Sequence, residues 1–183
     1  IYETPALWVS MDRVSFKAPS SGWDEPFRKS AIHWDADPVT ATTLGVQGLV
    51  YLRDTEPDQG AFCCVPSIYR DIDRWIGEHD ERQLDPDNLD HAIEAIGGKA
   101  GSMVIWHRRM PHSSGENFGV NPRWVQYVTM EPARDDESAR HKRVDEFEGR
   151  MPPQWAIHQK VPGQQMPEPG PTARLTSLGR KLV

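Results

Sequence analysis

Hydrophobic and polar residues alternate in several short stretches of the chain, and this period of two predicts β-strands. The first stretch covers residues 7–17 and is broken by a turn-forming segment at 19–22. Turn formers also dominate residues 54–60 and 97–101, between later stretches. The further predicted strands are residues 31–35, 44–52, 61–65, 102–106 and 123–130.

Two segments have the character of helices instead. Residues 68–79 place four apolar side chains at helical spacing. Residues 134–149 are highly charged and predict a solvated helix. Beyond residue 150 proline and glycine are frequent, so we expect an extended surface tail over 150–183.

Many short strands with few helices favour a mainly β fold. A double-stranded β-helix, the cupin-like jelly roll, with a few peripheral helices fits this pattern. The mouth of such a barrel is a natural pocket for a metal and a small acid. We expect one domain over residues 1–183, and, because the chain opens on strand-like sequence without Met, a missing amino-terminal part.

Composition narrows the class of protein. A formal net charge of -6 gives no basic footprint for nucleic acid, so we expect none as a partner. The apolar runs are too short for a membrane span, and residues 1–3 do not begin a signal peptide. Cys63 and Cys64 are adjacent, which argues against a mutual disulfide, so we expect one thiol in the core, one outside, and a cytoplasmic location.

The candidate chemistry begins at His33 and Asp35. Residues i and i+2 of a strand point to the same face, so one imidazole and one carboxylate can meet there. A second histidine would complete the two-histidine, one-carboxylate set of non-haem Fe(II) oxygenases. His107 and His112 both qualify; small neighbours after Pro111 slightly favour His112. The alternative is a polar edge strand without a metal.

Arg123 follows on a strand whose neighbouring residues are mostly apolar. A buried arginine needs an anion, and its planar fork suits a carboxylate. The alternative is a surface arginine on an edge strand.

Six segments in this order resemble the phytanoyl-CoA dioxygenase family of Fe(II)/2-oxoglutarate oxygenases. The resemblance covers roughly residues 7–130, continues more weakly to the end, and is carried by order and spacing together. The segments are His33-Trp34-Asp35, residues 49–54, residues 60–66, residues 101–107, Pro111 to Asn117, and Arg123.

The resemblance implies that His33, Asp35 and His112 bind iron and that Arg123 binds the distal carboxylate of 2-oxoglutarate. Ser114 matches a family hydroxyl that hydrogen-bonds this cosubstrate.

Tyr51 stands where the family often carries an aromatic residue beside the cosubstrate, and Asn117 matches a structural asparagine. Ser113 departs from the usual glycine, and residues 66–69 depart from the usual Pro-Gly-Ser-His. These departures affect the expected shape of the substrate pocket.

The expected activity is hydroxylation of a small organic or acyl-type substrate, using Fe(II), 2-oxoglutarate and O2 and releasing succinate and CO2. The carboxylate of Asp35 favours hydroxylation, because halogenating relatives carry a small residue there. The alternatives are a cupin-type metalloenzyme that does not use 2-oxoglutarate, against which Arg123 argues, and a non-catalytic β-helix binding domain. Candidates to line the pocket, each with simple packing as its alternative, are Trp8, Met11, Arg13, Gln47 and Trp106.

Overall fold

The computed structural model of the protein describes residues 1–10, 12–21, 30–80, 83–152 and 168–183. These residues form two compact units, Ile1–Asp12 with Val128–Val183, and Arg13–Tyr127. The single domain over 1–183 and the extended tail over 150–183 stay predictions. Met11 and residues 153–167 of the predicted tail lie outside the described residues.

Ten strands are present in the described part of the chain. The predicted strand over 7–17 is two strands, and the strands β6, β7 and β9 were not predicted, because each has only two or three residues. The strands are β1 Leu7–Val9, β2 Val14–Lys17, β3 Ile32–His33, β4 Val46–Tyr51, β5 Phe62–Cys64, β6 Gln83–Leu84, β7 Glu94–Ile96, β8 Met103–His107, β9 His112–Ser114 and β10 Arg123–Pro132.

Strand pairing in the larger unit defines its architecture. One antiparallel sheet has the order β2-β10-β4-β8, and the other has β6-β3-β9-β5-β7. The chain passes repeatedly from one sheet to the other, from β2 to β3 to β4 to β5 and from β8 to β9 to β10. This alternation is the winding of a double-stranded β-helix, so the predicted mainly β fold class is confirmed.

The core of the larger unit contains side chains from both sheets. Along the first residues of β10, Arg123 and Val125 are buried while Trp124 between them is exposed, which is the expected period of two. The inward residues of one sheet pack with those of the other in a cluster of Leu49, Tyr51, Phe62, Cys64, Trp106 and Val125.

The helix predicted at 68–79 is two helices, α1 Pro66–Arg70 and α2 Ile72–Glu78. Asp71 between them leaves the helical region at φ -127° and ψ 34°. Both helices pack with β3 and β6 through a second apolar cluster of Ile32, Trp34, Val65, Ile68, Ile72, Trp75 and Leu84.

The smaller unit pairs β1 with the last residues of β10, with Val9 opposite Met130. Its helices are α3 Glu137–Glu148 and α4 Gly179–Leu182. The predicted solvated helix is confirmed, since α3 buries no residue and begins where Asp136 accepts two backbone N–H bonds. Arg143 of α3 donates to the Val9 and Leu182 carbonyls at 2.7 and 3.2 Å, joining helix, strand and tail.

Cys63 and Cys64 are both free and both buried. The expectation of one exposed thiol was wrong, because both faces of β5 are covered. None of the described helices is long and apolar enough to cross a membrane.

Candidate functional site

His33, Asp35 and His112 are brought together inside the larger unit. The Nε2 atom of His33 lies 3.5 Å from Asp35 Oδ1, and the Nε2 atom of His112 lies 3.3 Å from Asp35 Oδ2. One donor atom from each residue lies within 4.8 Å of the others. Among the described residues this is the one group of histidine, cysteine or acidic side chains close enough to hold a metal ion.

Strand register explains the meeting of the two histidines. His33 ends β3 and is the direct cross-strand partner of His112 at the start of β9. The predicted strand over 31–35 ends at His33, and Asp35 lies in the following bend. The carboxylate therefore reaches the histidines from the end of the strand rather than through strand alternation.

Each histidine ring is oriented by its own backbone. The Nδ1 atom of His33 is 2.9 Å from the Ala31 carbonyl, and that of His112 is 2.9 Å from the Met110 carbonyl. A carbonyl only accepts, so each Nδ1 carries a proton, and Nε2 is the ring nitrogen that is left to act as a metal ligand. The donor set that results is two imidazole nitrogens and one carboxylate oxygen, which suits a mononuclear Fe(II) ion.

Contacts within this group shift the pKa values of Asp35 and His33. Hydrogen bonding to His112 and then His33 holds the pKa of Asp35 well below its usual range, against an opposing effect of burial. The bond to Asp35 raises the pKa of His33. The Asp35 side chain is 52% exposed and the His112 side chain 8%, so the group is open to solvent on the carboxylate side.

His107 lies away from this group. Its Nδ1 accepts the Arg109 backbone N–H at 3.2 Å, and its ring lies against Tyr69 with centroids 5.6 Å apart. Burial, together with Arg108 and Arg109, lowers the pKa of the His107 imidazole. Of the two histidines left open by the sequence, the structure places His112 beside His33 and Asp35.

Arg123 lies in β10 with only 2% of its surface exposed. One guanidinium nitrogen, Nη2, donates to Ser15 Oγ at 3.2 Å. Its other two nitrogens, Nε and Nη1, are buried and have no hydrogen-bond partner in the part of the chain that the structure describes. Because buried N–H groups are almost always paired, these two donors indicate a missing acceptor.

Lys17 is a second buried cation, and the sequence analysis missed it. It is the cross-strand partner of Arg123 and is 7% exposed. Burial and the neighbouring Arg123 lower the pKa of its ammonium to about 8. The available signal was its position: Lys17 is two residues after Ser15 in an alternating strand, on the inward face.

Ser114 connects the cationic pair to the histidines. Lys17 Nζ donates to the Ser114 hydroxyl at 3.2 Å and to its carbonyl at 3.3 Å. Ser114 is two residues after His112 in β9, so both side chains share one face, about 7 Å apart along the strand. A five-carbon dicarboxylate can span that distance.

Asn117 holds this corner of the molecule together. It is fully buried; its Nδ2 donates to the Lys17 and Asn121 carbonyls at 3.1 and 2.9 Å, and its Oδ1 accepts from Gly119 N. All three contacts are to backbone, which agrees with the expected structural role.

Tyr51 is fully buried, and its hydroxyl is hydrogen-bonded to the backbone. It donates to the Ile96 carbonyl at 2.5 Å and accepts from Phe62 N at 3.0 Å. The predicted contact of Tyr51 with the cosubstrate stays a prediction, and it now concerns the ring rather than the hydroxyl.

The other described candidates to line the pocket differ in what their side chains contact. Trp8 belongs to the smaller unit, where Arg143 lies over its ring. Arg13 lies over the Tyr127 ring at 5.3 Å. Gln47 and Trp106 lie beside the histidines: Gln47 Nε2 is 2.6 Å from Asp35 Oδ2, and the Trp106 ring is 5.1 Å from that of His112.

The fold and donor set together define a double-stranded β-helix with a candidate mononuclear metal centre. The family model described as "Phytanoyl-CoA dioxygenase (PhyH)" matches residues 2–125, more than half of the chain. The chain therefore belongs to the phytanoyl-CoA dioxygenase family, and the resemblance drawn from the motifs is confirmed.

One relative is a Dictyostelium discoideum protein named "Putative phytanoyl-CoA dioxygenase", 27% identical over 112 residues. That alignment covers 57% of this chain, which spans only 32% of the relative's length.

Solved structures with a similar fold include those of SnoN and EvdO2. The epimerase SnoN, in complex with Fe3+, alpha ketoglutarate and nogalamycin RO, is 19% identical with a TM-score of 0.48, covering 93% of this chain and 62% of that one. EvdO2 from Micromonospora carbonacea var. aurantiaca, complexed with 2-oxoglutarate, is 21% identical with a TM-score of 0.46, covering 72% and 55%. At these low scores, the fold assignment rests on the strand pairing described above.

Proposed function

We propose that the chain is the catalytic part of an Fe(II)/2-oxoglutarate-dependent oxygenase that hydroxylates a small molecule. Membership of the phytanoyl-CoA dioxygenase family supports iron, 2-oxoglutarate and O2 as its reactants. The observation that carries the proposal is a metal-type donor set on one sheet of the larger unit together with buried Arg123 donors on the other sheet, which have no hydrogen-bond partner among the described residues.

In this proposal His33, Asp35 and His112 bind Fe(II). The neutral Nε2 atoms and the ionised carboxylate are the protonation states that metal binding requires. The bound iron and cosubstrate supply the oxidising chemistry, with succinate and CO2 as products. The protein's contribution is to position the reactants, and the three ligands leave coordination positions for them.

The distal carboxylate of 2-oxoglutarate binds Arg123, Lys17 and the Ser114 hydroxyl. The free Nε and Nη1 donors of Arg123 become paired, and the carboxylate compensates two buried positive charges. A cupin-type enzyme without this cosubstrate would leave both cations without an anion. The same argument disfavours a binding domain that uses neither metal nor acid.

A spectroscopic titration tests the proposal. Anaerobic protein loaded with Fe(II) should develop the metal-to-ligand charge-transfer band of bound 2-oxoglutarate, with one iron per chain. Glutarate, which keeps both carboxylates and lacks the keto group, should give no band and should compete. Iron binding without the band, or a band that glutarate does not suppress, would favour the cupin-type alternative.

Hydroxylation itself needs a substrate. Oxygenated product formed in step with succinate from a panel of small organic and acyl compounds would establish it. Succinate formed with a ring closure or an epimerised product instead would replace hydroxylation by another oxidation.

A further inference from the structure

Gln47 contacts the carboxylate of the triad directly. It lies in β4 opposite Trp106 of β8, and its Nε2 donates to Asp35 Oδ2 at 2.6 Å. The reverse orientation of the amide would set Oε1 against a carboxylate that is ionised, and two acceptors repel. The N–H end therefore faces Asp35.

The other end of this amide is free. Gln47 Oε1 is buried and has no hydrogen-bond partner among the described residues. Gln59, a buried glutamine of the same unit, is different: its Nε2 donates to the Asn121 carbonyl at 2.9 Å and its Oε1 accepts from Glu56 N at 3.2 Å. The side chain of Gln59 joins two segments of backbone, whereas the one side-chain hydrogen bond that Gln47 makes with the described residues goes to Asp35.

We propose that Gln47 is a positioning residue for the metal centre, an inference that rests on the function proposed above. By occupying Oδ2 of Asp35, it leaves Oδ1, on the His33 side, as the metal ligand. A carboxylate that binds through one oxygen takes one coordination position of six. The positions needed for a chelating cosubstrate and for O2 then stay open.

Gln47→Met is the informative variant, because it keeps the side chain's length and removes the N–H donor. Loss of such an outer contact should weaken metal binding by about 10–100-fold. The measurement is a titration with Co(II), following its visible d–d bands, whose shape reports coordination number. We expect a weaker titration, an altered band shape, and a reduced 2-oxoglutarate charge-transfer band with Fe(II).

One control separates positioning from folding. Gln59→Met removes backbone contacts and should lower the denaturation midpoint without changing Co(II) affinity or band shape.

Gln47→Glu is the second variant, and it serves if Gln47→Met fails to fold. It keeps the side chain's size but brings another carboxylate oxygen to the centre, so cosubstrate binding should weaken even where Co(II) binds well. Parent-like Co(II) affinity, band shape and 2-oxoglutarate binding in either folded variant would overturn the role of Gln47. A parent protein that itself fails to bind metal and 2-oxoglutarate would overturn the proposed function instead.

Discussion

The two ends of the candidate site handle charge in opposite ways. At the metal end, His33 and His112 both contact the carboxylate of Asp35, within 3.5 Å. At the cationic end, Lys17 and Arg123 are direct partners on the neighbouring strands β2 and β10. Within the described residues, no carboxylate lies within ion-pair distance of either side chain. One end compensates its own charges, and the other carries buried positive charge with only hydroxyl and carbonyl partners.

This difference shows which end depends more on its ligand. Histidine–carboxylate contacts can persist without a metal, so the metal end should keep its geometry when empty. Two adjacent buried cations raise the free energy of the folded state, and an anion removes that cost. We therefore expect the cationic end to gain more stability from its ligand than the metal end gains from its ion.

The largest expected effect separates the two histidines. His112→Ala should abolish Fe(II) binding, because His112 supplies one of three donors and is mostly buried. His107→Ala should retain most of it, since the Nδ1 of His107 is bound to backbone and its ring to Tyr69. Equilibrium dialysis with iron analysis measures both. Equal metal loss in two folded variants would show that the metal end is assigned wrongly.

Arg123→Leu tests the cationic end. Removing one partner of a buried charge pair costs about 3–5 kcal/mol, which is roughly a hundredfold to several-thousandfold in affinity. The 2-oxoglutarate dissociation constant should rise by this factor, while iron affinity without cosubstrate stays the same. Arg123→Lys should fall between, because it keeps the charge and loses the fork. A charge-transfer titration of Arg123→Leu that matches the parent would remove the cosubstrate from this end.

Lys17→Met should weaken 2-oxoglutarate binding by about tenfold or more, the value of one charge-assisted hydrogen bond of ~1.5 kcal/mol. The same variant should unfold at higher urea concentration than the parent when both lack ligand, because a buried uncompensated charge has gone. Weaker binding together with greater stability is the expected signature. A variant that is less stable and binds 2-oxoglutarate normally would assign Lys17 to the scaffold.

The smallest effect is a pH dependence. The pKa of Lys17 is lowered from 10.5 to about 8, so between these values the unfolded chain binds the extra proton, and the stability of the ligand-free protein rises with pH. Cosubstrate affinity changes in the opposite direction, since the anion needs the protonated amine. The dissociation constant of 2-oxoglutarate on Co(II)-loaded protein should rise above pH 8 in the parent. Lys17→Met should show a flatter profile across the same range.

The sequence was most informative where pattern and chemistry coincide. Alternating hydrophobic and polar residues predicted the mainly β fold, and the order of the motifs identified the family. Both features can be read from the sequence alone. His33, Asp35 and His112 were named from those motifs, and the structure brings all three together. The helix over 68–79 was harder to predict, because its apolar spacing continues through Asp71, where the backbone turns.

Only the tertiary structure decided the contacts between segments that are distant in sequence. The proximity of His112 to His33 follows from the register of β9 with β3. The cationic end required Lys17 and Arg123, which are far apart in sequence, to pair across β2 and β10. Local sequence by itself identified the candidate ligands His33, Asp35 and His112 and the candidate anion-binding residue Arg123, since residue type and strand period are local properties. Their partners were decided by strand pairing, because a hydrogen bond or an unpaired charge depends on which strands lie side by side.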